Sequence, residues 1–390
     1  MHKLVSVSVG TCIAIVALLQ GCRSETVPLP YPITQYTRSS DWSAWQAKTS
    51  TLNVWDLPII AKQIHERLPR IATELEHRSL DFALLQEAWI ESDRATLTSL
   101  SHLSEKTYFD VARTIGSGLF NLSATPFSRN VFYEFSLNGN VTQAWEGDAY
   151  AGKGVGMSTA NIRGLPVSIF NTHTIARYGE DGGEFTDPHT LDRLLQLFEI
   201  FRAVVEQTDS DAFVIAGDFN FRFFQLEYAF WRKLTSLEGI QAEATDPTFC
   251  TYCGDNPFNT KNEGQLDYLF VSPRLKIKNY LRDFDQTFVS QLGQRLHLSD
   301  HYGWTATLKV ATLSPISPIM VATNTLKSVR FLRDRLEDAL HPMSDSIRTS
   351  AIEDRICRKC RIEEAIEVLN GYERALEPSL ESDSSVIKRL

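Results

Sequence analysis

The sequence predicts an α/β domain built on a layered sheet, followed by a helical extension. Three observations carry that expectation. From Thr51 to Val310, short β-rich runs alternate with segments whose apolar residues recur at helical spacing. The segment Ser314-Pro-Ile-Ser-Pro318 breaks the alternation, and beyond it only helical periodicity remains. The 390-residue chain is 43% hydrophobic and 22% charged, ordinary values for a folded chain with room for one large domain and an appendage. Strand runs with helical returns imply layers of sheet and helix.

Taken in order, the chain opens with the short basic start Met1-His2-Lys3 and an apolar run from Leu4 to Leu19. A membrane span needs about 20 apolar residues, so this run suits the apolar region of a signal peptide instead. It ends in Leu19-Gln20-Gly21-Cys22, which resembles a bacterial lipobox, whose Cys is acylated and becomes the first mature residue. Residues 1–22 are therefore expected to export the chain, as a membrane-anchored lipoprotein attached through Cys22 or else as a secreted protein. Residues 23–45 carry Pro28, Pro30 and Pro32 among polar residues and read as a tether. The folded domain is expected over 46–312.

Within it, Asp81–Leu85, Val167–Phe170, Ala212–Ala216 and Leu266–Val271 read as buried strands, and Tyr302–Val310 alternates as a half-buried one. Pro58–Glu76 and Thr190–Gln207 read as amphipathic helices. Val321–Leu340 and Ala351–Ala375 suggest an αα-hairpin, making 313–390 a helical extension. Outside the leader, the cysteines form two C-x-x-C pairs, Cys250/Cys253 and Cys357/Cys360. That spacing suits a four-cysteine zinc site. An oxidising compartment favours disulfides instead, within the pairs or between them, and a bridge between pairs would pin the helices to the body.

Hydrolysis of a phosphodiester needs a nucleophilic water, a base to deprotonate it, and positive charge for the developing phosphorane oxygens. Strand ends hold such groups rigidly, and five of them here carry suitable residues. Asn53 offers a neutral oxygen and an NH2 group, able to touch a metal shell and a phosphate together. Glu87, directly after the apolar run Phe82–Leu85, is a candidate metal ligand or a helix N-terminal acid. His173 closes the strand at Val167, where it is able to protonate a leaving group, hold a phosphate oxygen as a cation, or serve as a core histidine. Gly217-Asp218-Phe219-Asn220 sets a carboxylate and an amide on one loop, a pair suited to orienting water and phosphate. Asp267 is available to orient His301, whose neighbour Asp300 adds a carboxylate, the recurring arrangement for general-base work.

Taken together and in this order, these motifs resemble the endonuclease/exonuclease/phosphatase superfamily over roughly residues 50–310. The resemblance implies a deoxyribonuclease-like four-layer α/β/β/α sandwich. It also implies roles: Glu87 binds an essential divalent metal with Asn53 supporting it. His301 is the base, Asp267 orients it, and His173, Asp218 and Asn220 engage the phosphate. Asp300 helps to position metal or base. Magnesium is the expected ion, with manganese and cobalt as alternatives.

Local features resemble the neutral sphingomyelinases within that superfamily. Asn53-x-Trp-x-Leu-Pro58 and the stretch Glu66-Arg67-Leu68-Pro69-Arg70-Ile71 are similar to their first motif. Gly147-Asp148-Ala-Tyr-Ala-Gly152-Lys153 is similar to the segment in which an Asp and a Lys five residues later form a switch; the family's Trp after the Asp is Ala149 here. The implied activity is hydrolysis of sphingomyelin in a membrane to ceramide and phosphocholine, by a monomer. Net charge of -9 and the lack of Lys/Arg-rich loops argue against a nucleic-acid partner. The alternatives are an exported nuclease, a phosphoinositide phosphatase, or a lipid-binding surface lipoprotein without turnover. The aromatic stretch Phe221–Trp231 is either a lipid-facing edge or a helix packed on the core. Between Val271 and Leu298 no counterpart is evident of the exposed aromatic hairpin carried by secreted bacterial sphingomyelinases.

Overall fold

The computed structural model describes residues 42–311 except 59, 100–101, 112–114, 139–149, 179–186, 188, 209, 237–239, 244–248 and 260–263, together with 328–337 and scattered positions between 359 and 374. The chain begins with β1 (Gln46–Asn53), α1 (Ile64–His77), β2 (Phe82–Gln86), α2 (Glu91–Thr98), β3 (Glu105–Tyr108), β4 (Phe120–Ser123) and β5 (Phe127–Glu134). It continues with β6 (Gly154–Ile162), β7 (Leu165–His173), α3 (Thr190–Gln207), β8 (Phe213–Asp218), α4 (Leu226–Ser236) and β9 (Gln241–Glu243). Next come β10 (Asp267–Val271), β11 (Leu275–Asp283), β12 (Thr287–Val289), β13 (Arg295–His297) and β14 (Gly303–Val310).

One six-stranded sheet has the order β11-β14-β1-β2-β4-β3, a second has the order β5-β6-β7-β8-β10-β9, and β12-β13 is a separate hairpin. Each large sheet contains a parallel pair, β1 with β2 and β7 with β8, flanked by antiparallel neighbours.

Period-two alternation decides how these sheets stack. On β2, Ala83 and Leu85 join Leu68, Ile71 and Leu75 of α1 and Leu97 of α2 in one core. Phe82 and Leu84 point the other way, into a second core with Val167 and Ile169 of β7, Val214 and Ala216 of β8, and Leu269 and Val271 of β10. That second core is the layer between the sheets. Burying each such large side chain contributes about 1.5–3 kcal/mol. On the far side, Trp231 of α4 lies 5.5 Å from Phe270 of β10, and α3 packs beside α4.

Several elements differ from the sequence expectation. The first helix starts at Ile64, not Pro58, because Arg67 is fully buried and ties down the loop before it. Its guanidinium donates to the carbonyls of Val54, Trp55, Lys62 and Leu298 at 2.7–3.0 Å. Trp45, assigned to the tether, is buried in the inter-sheet core and donates to the Ile162 carbonyl, so the domain takes in Trp42–Trp45. β14 lies between β11 and β1 and is covered on both faces over its first half, rather than half-buried throughout. Between Val271 and Leu298 a hairpin does exist, β12-β13, exposing Val289 and Leu292 in place of aromatic residues.

The aromatic stretch divides in two. Phe221, Phe230 and Trp231 are core, whereas Phe224 is 82% exposed. Cys250 and Cys253 bridge to each other, so neither holds zinc nor reaches the other cysteine pair. Cys22, Asp148, Cys357 and Cys360 lie outside the described residues.

Chain contacts separate Pro32–Ile316 from a unit holding Ser317–Leu390. In the latter, residues 328–337 are helical and bury Val329, Leu332 and Leu336 at helical spacing. Further on, Ile362, Ala365 and Leu369 repeat that pattern, and Glu373 accepts from Arg330 and Arg333.

Candidate active site

The strands that fill the inter-sheet layer change character at one end. On β1 the inward positions run Ala47, Thr49, Thr51, Asn53; on β7 they run Val167, Ile169, Asn171, His173; on β8, Val214, Ala216, Asp218. β10 runs antiparallel to β8, so its first residue, Asp267, arrives at the same end. In the register of the second sheet Asp218 pairs with both His173 and Asp267, placing the three side by side. Glu87 follows β2 and has the parity of the helix face. Its left-handed backbone (φ 54°) turns the carboxylate back, so that Asn53 Nδ2 donates to Oε1 at 2.9 Å. Asn220 (φ 50°) and Trp55 (φ 50°) share this conformation. Left-handed non-glycine residues cost about 1–3 kcal/mol each, and such strain concentrates at functional sites.

Asn53 ties the sheets together, donating also to Asp218 Oδ2 at 3.1 Å. Its own Oδ1 accepts from Trp55 N, and its carbonyl accepts from Ser299 Oγ at 2.7 Å. His301 Nδ1 donates to Asp267 Oδ2 at 2.8 Å, and its Nε2 lies 3.7 Å from Asp218 Oδ2. His173 Nε2 is 3.6 Å from Asp218 Oδ2 and 4.0 Å from Glu87 Oε1. Lys153 Nζ donates to His173 Nε2 at 3.1 Å and to the Thr174 carbonyl at 2.8 Å. Asn220 anchors to that same carbonyl through Nδ2 at 3.0 Å, while its backbone N–H donates to Asp218 Oδ1.

The structure thus brings together Asn53, Glu87, Lys153, His173, Asp218, Asn220, Asp267 and His301, with Asp300 adjacent. Burial raises the pKa of Glu87, and it pushes those of Asp218 and Asp300 up to about 6. Burial alone would lower His301, but the charges of Asp267, Asp218 and Asp300 outweigh it and hold the imidazole well above its ordinary value. His173 behaves oppositely: burial, then the charges of Lys153 and His301, hold it well below its ordinary value. Of the readings open to His173, this environment disfavours the cation, and the positive charge beside it is that of Lys153.

Three buried carboxylates with raised pKa values are a donor set short of positive charge. Glu87 Oε2 is buried and has no hydrogen-bond partner. These residues fit a divalent cation with a preference for oxygen ligands. A second grouping, Asp218, Asp267 and His301, offers one atom each within 4.8 Å. There Asp267 Oδ2 and His301 Nδ1 are bonded to each other, while Asp267 Oδ1 is buried without a partner, as Glu87 Oε2 is.

Beneath the site lies a buried amide chain that the motifs alone did not reveal. Gln86 Nε2 donates to Asn171 Oδ1 at 2.8 Å, Asn171 Nδ2 to Asn121 Oδ1 at 2.9 Å, and Asn121 Nδ2 to Ser158 Oγ at 3.1 Å. It bridges the sheets directly behind Glu87 and His173. Its signal in the sequence is an amide at an inward position of an otherwise apolar strand.

A model of the Endonuclease/Exonuclease/phosphatase family matches residues 50–301. The chain belongs to this family. Among curated relatives, the sphingomyelin phosphodiesterase 2 of Rattus norvegicus is 30% identical over 50% of this chain and 46% of its own. The inositol phosphosphingolipids phospholipase C of Saccharomyces cerevisiae is 26% identical over 70% of this chain and 66% of its own. The chain spans between about half and two thirds of the length of these relatives. Among solved structures, a beta toxin from Staphylococcus aureus superposes with a TM-score of 0.54 at 17% identity, covering 67% of this chain and 99% of that one. The shared fold is the deoxyribonuclease-like α/β/β/α sandwich.

Proposed function

We propose that the chain is a divalent-metal-dependent phosphodiesterase that hydrolyses sphingomyelin to ceramide and phosphocholine. One observation carries the chemistry: the Asp267–His301 pair, 2.8 Å apart, opens onto buried carboxylates that include the unpartnered oxygen of Glu87. With a bound cation offsetting the carboxylate charges that raise its pKa, His301 Nε2 would take the proton of the attacking water, and Asp267 at Nδ1 fixes the ring and balances the imidazolium that forms. Asp218 and Asn220, locked to each other and to Thr174, orient the water and a phosphate oxygen. Lys153 supplies positive charge to the oxygens of the pentavalent phosphorane, and His173 holds it in place by accepting its hydrogen bond. Glu87 and Asn53 would hold the cation, with Asp300 in support; magnesium, or manganese or cobalt in its place, would supply Lewis-acid charge when bound.

The substrate assignment draws on the names of the relatives and on exposed apolar side chains at Phe224, Val289 and Leu292, which suit a bilayer interface. A disulfide at Cys250–Cys253 accords with export, and with a lipid anchor at Cys22.

The test is phosphocholine release from sphingomyelin vesicles with magnesium and with chelator, beside phosphatidylcholine vesicles, an inositol phosphosphingolipid and plasmid DNA. Magnesium-dependent release from sphingomyelin alone is expected. Hydrolysis of the inositol lipid alone would change the headgroup, and nicking of DNA without lipid hydrolysis would overturn the substrate class.

A further inference from the structure

The disulfide turn has no place in the chemistry above, yet both residues inside it touch the base pair. Thr251 is fully buried, and its Oγ1 accepts from the backbone N–H groups of Leu266 at 2.9 Å and Asp267 at 3.1 Å. Its carbonyl accepts from the N–H of Tyr302 at 2.7 Å. One threonine therefore spans the residue that orients the base and the residue that follows the base. Tyr252 packs its ring against the His301 imidazole, with centroids 5.1 Å apart and the planes tilted by 58°.

The chain leaving the turn continues the pattern. Asn256 Nδ2 donates to the Ser299 carbonyl and Asn259 Nδ2 to the Asp300 carbonyl, each at 2.8 Å. Asn259 also donates to the Cys253 carbonyl at 3.2 Å, and Asn256 N donates to that carbonyl at 3.1 Å. On the other side, the N–H groups of Thr251 and Tyr252 both reach the Gly264 carbonyl at 3.0 Å. Every residue from Ser299 to Tyr302 is thus contacted from residues 251–259.

We propose that the turn closed by Cys250–Cys253 is the positioning element of the general base. Thr251 sets the separation of Asp267 from His301, Tyr252 sets the plane of the imidazole, and the disulfide keeps both residues in place. The inference rests on His301 acting as the base. Nothing outside this turn joins the backbone of Asp267 to that of the 299–302 segment through a single residue among the described contacts. A misplacement of about 1 Å in such a group costs on the order of 100-fold in rate.

The experiment uses the full chain and two readouts. The first is kcat and KM for whichever phosphodiester the wild type hydrolyses. The second is the downfield NMR resonance of the His301 Nδ1 proton, assigned by its loss in His301→Gln, which needs no substrate. Thr251→Val keeps shape and removes the acceptor. It should lower kcat by about 10- to 100-fold with KM little changed, and should move the resonance upfield. Thr251→Ser should restore both. Tyr252→Ala should lower kcat and broaden the resonance while Tyr252→Phe does not, which covers the case where Thr251→Val fails to fold. Cys250→Ser/Cys253→Ser should act in the same direction as Thr251→Val, by a smaller factor. Wild-type kcat and an unmoved resonance in Thr251→Val and Tyr252→Ala would overturn the proposal. Wild-type turnover in His301→Gln would instead overturn the base assignment beneath it.

Discussion

The two ends of the layer between the sheets are built from the same strands and do opposite work. At one end Phe82, Leu84, Val167, Ile169, Val214 and Val271 pack as an apolar core. At the same parity, two residues from Leu84 and Ile169 and four from Val214 and Val271, stand Gln86, Asn171, Asp218 and Asp267. The apolar end supplies stability, and the polar end consumes it by burying carboxylates and left-handed residues. A site of this kind is held by the core that precedes it on each strand, not by its own contacts.

That contrast can be tested from both ends. The largest effect on activity belongs to the polar end. His301→Gln should lower kcat by about 10²–10⁴-fold, measured on the substrate identified above, and should also lower the melting temperature, because Asp267 loses its charged partner. Glu87→Gln should match it in activity, melt no lower than wild type because a desolvated negative charge with one unpartnered oxygen is removed, and lose the melting-temperature rise that magnesium gives the wild type. A lower melting temperature in Glu87→Gln would erase the distinction between the ends. At the apolar end, Leu84→Ala should cost about 2–5 kcal/mol by urea unfolding while the folded enzyme keeps kcat within a few-fold.

The amide chain between the ends should show both effects, each smaller. Asn171→Leu strands Gln86, Asn121 and the Leu85 carbonyl. It should destabilise by about 1–3 kcal/mol and lower kcat several-fold; a change in only one of these would assign the chain to one end.

The smallest effect is in pH. Burial holds Asp218 up to about 6. A carboxyl raised above its unfolded value of about 3.9 contributes stability that is present below that value and lost as pH rises through the folded pKa. In chelator, Asp218→Asn should therefore gain melting temperature relative to wild type as pH rises from 4 to 6. A constant difference across that range would show that Asp218 is not held protonated.

Much of this was legible because strand-end chemistry is local. Glu87, His173 and Asp218 each terminate an apolar run, so the sequence marks both the strand and the group it carries. α3 is equally local, and its boundaries Thr190–Gln207 follow from spacing alone. What was hidden depends on pairing between distant segments. Asn121 and Asn171 meet only because β4 and β7 lie in facing sheets. Arg67 looks like one charge among several on a helix until its carbonyl partners at Val54 and Leu298 are known. The lowered pKa of His173 follows from its burial and then from Lys153, twenty residues away in sequence and 3.1 Å away in space. The β12-β13 hairpin was missed because Thr287–Val289 and Arg295–His297 are too short to show alternation.

The register that sets His173, Asp218 and Asp267 in one row has a consequence for how such a protein can diverge. Because successive residues of a strand face opposite sides, deleting one residue within β8 would not shift Asp218 by a few ångströms but would turn it into the helix layer. The lengths of β7, β8 and β10, whose registers run unbroken, behave as a fixed reading frame, whereas β5 and β11 each absorb a bulge. Lineages of this fold are free to change what they recognise by editing the loops, while the spacing that makes hydrolysis possible is inherited whole or lost at once.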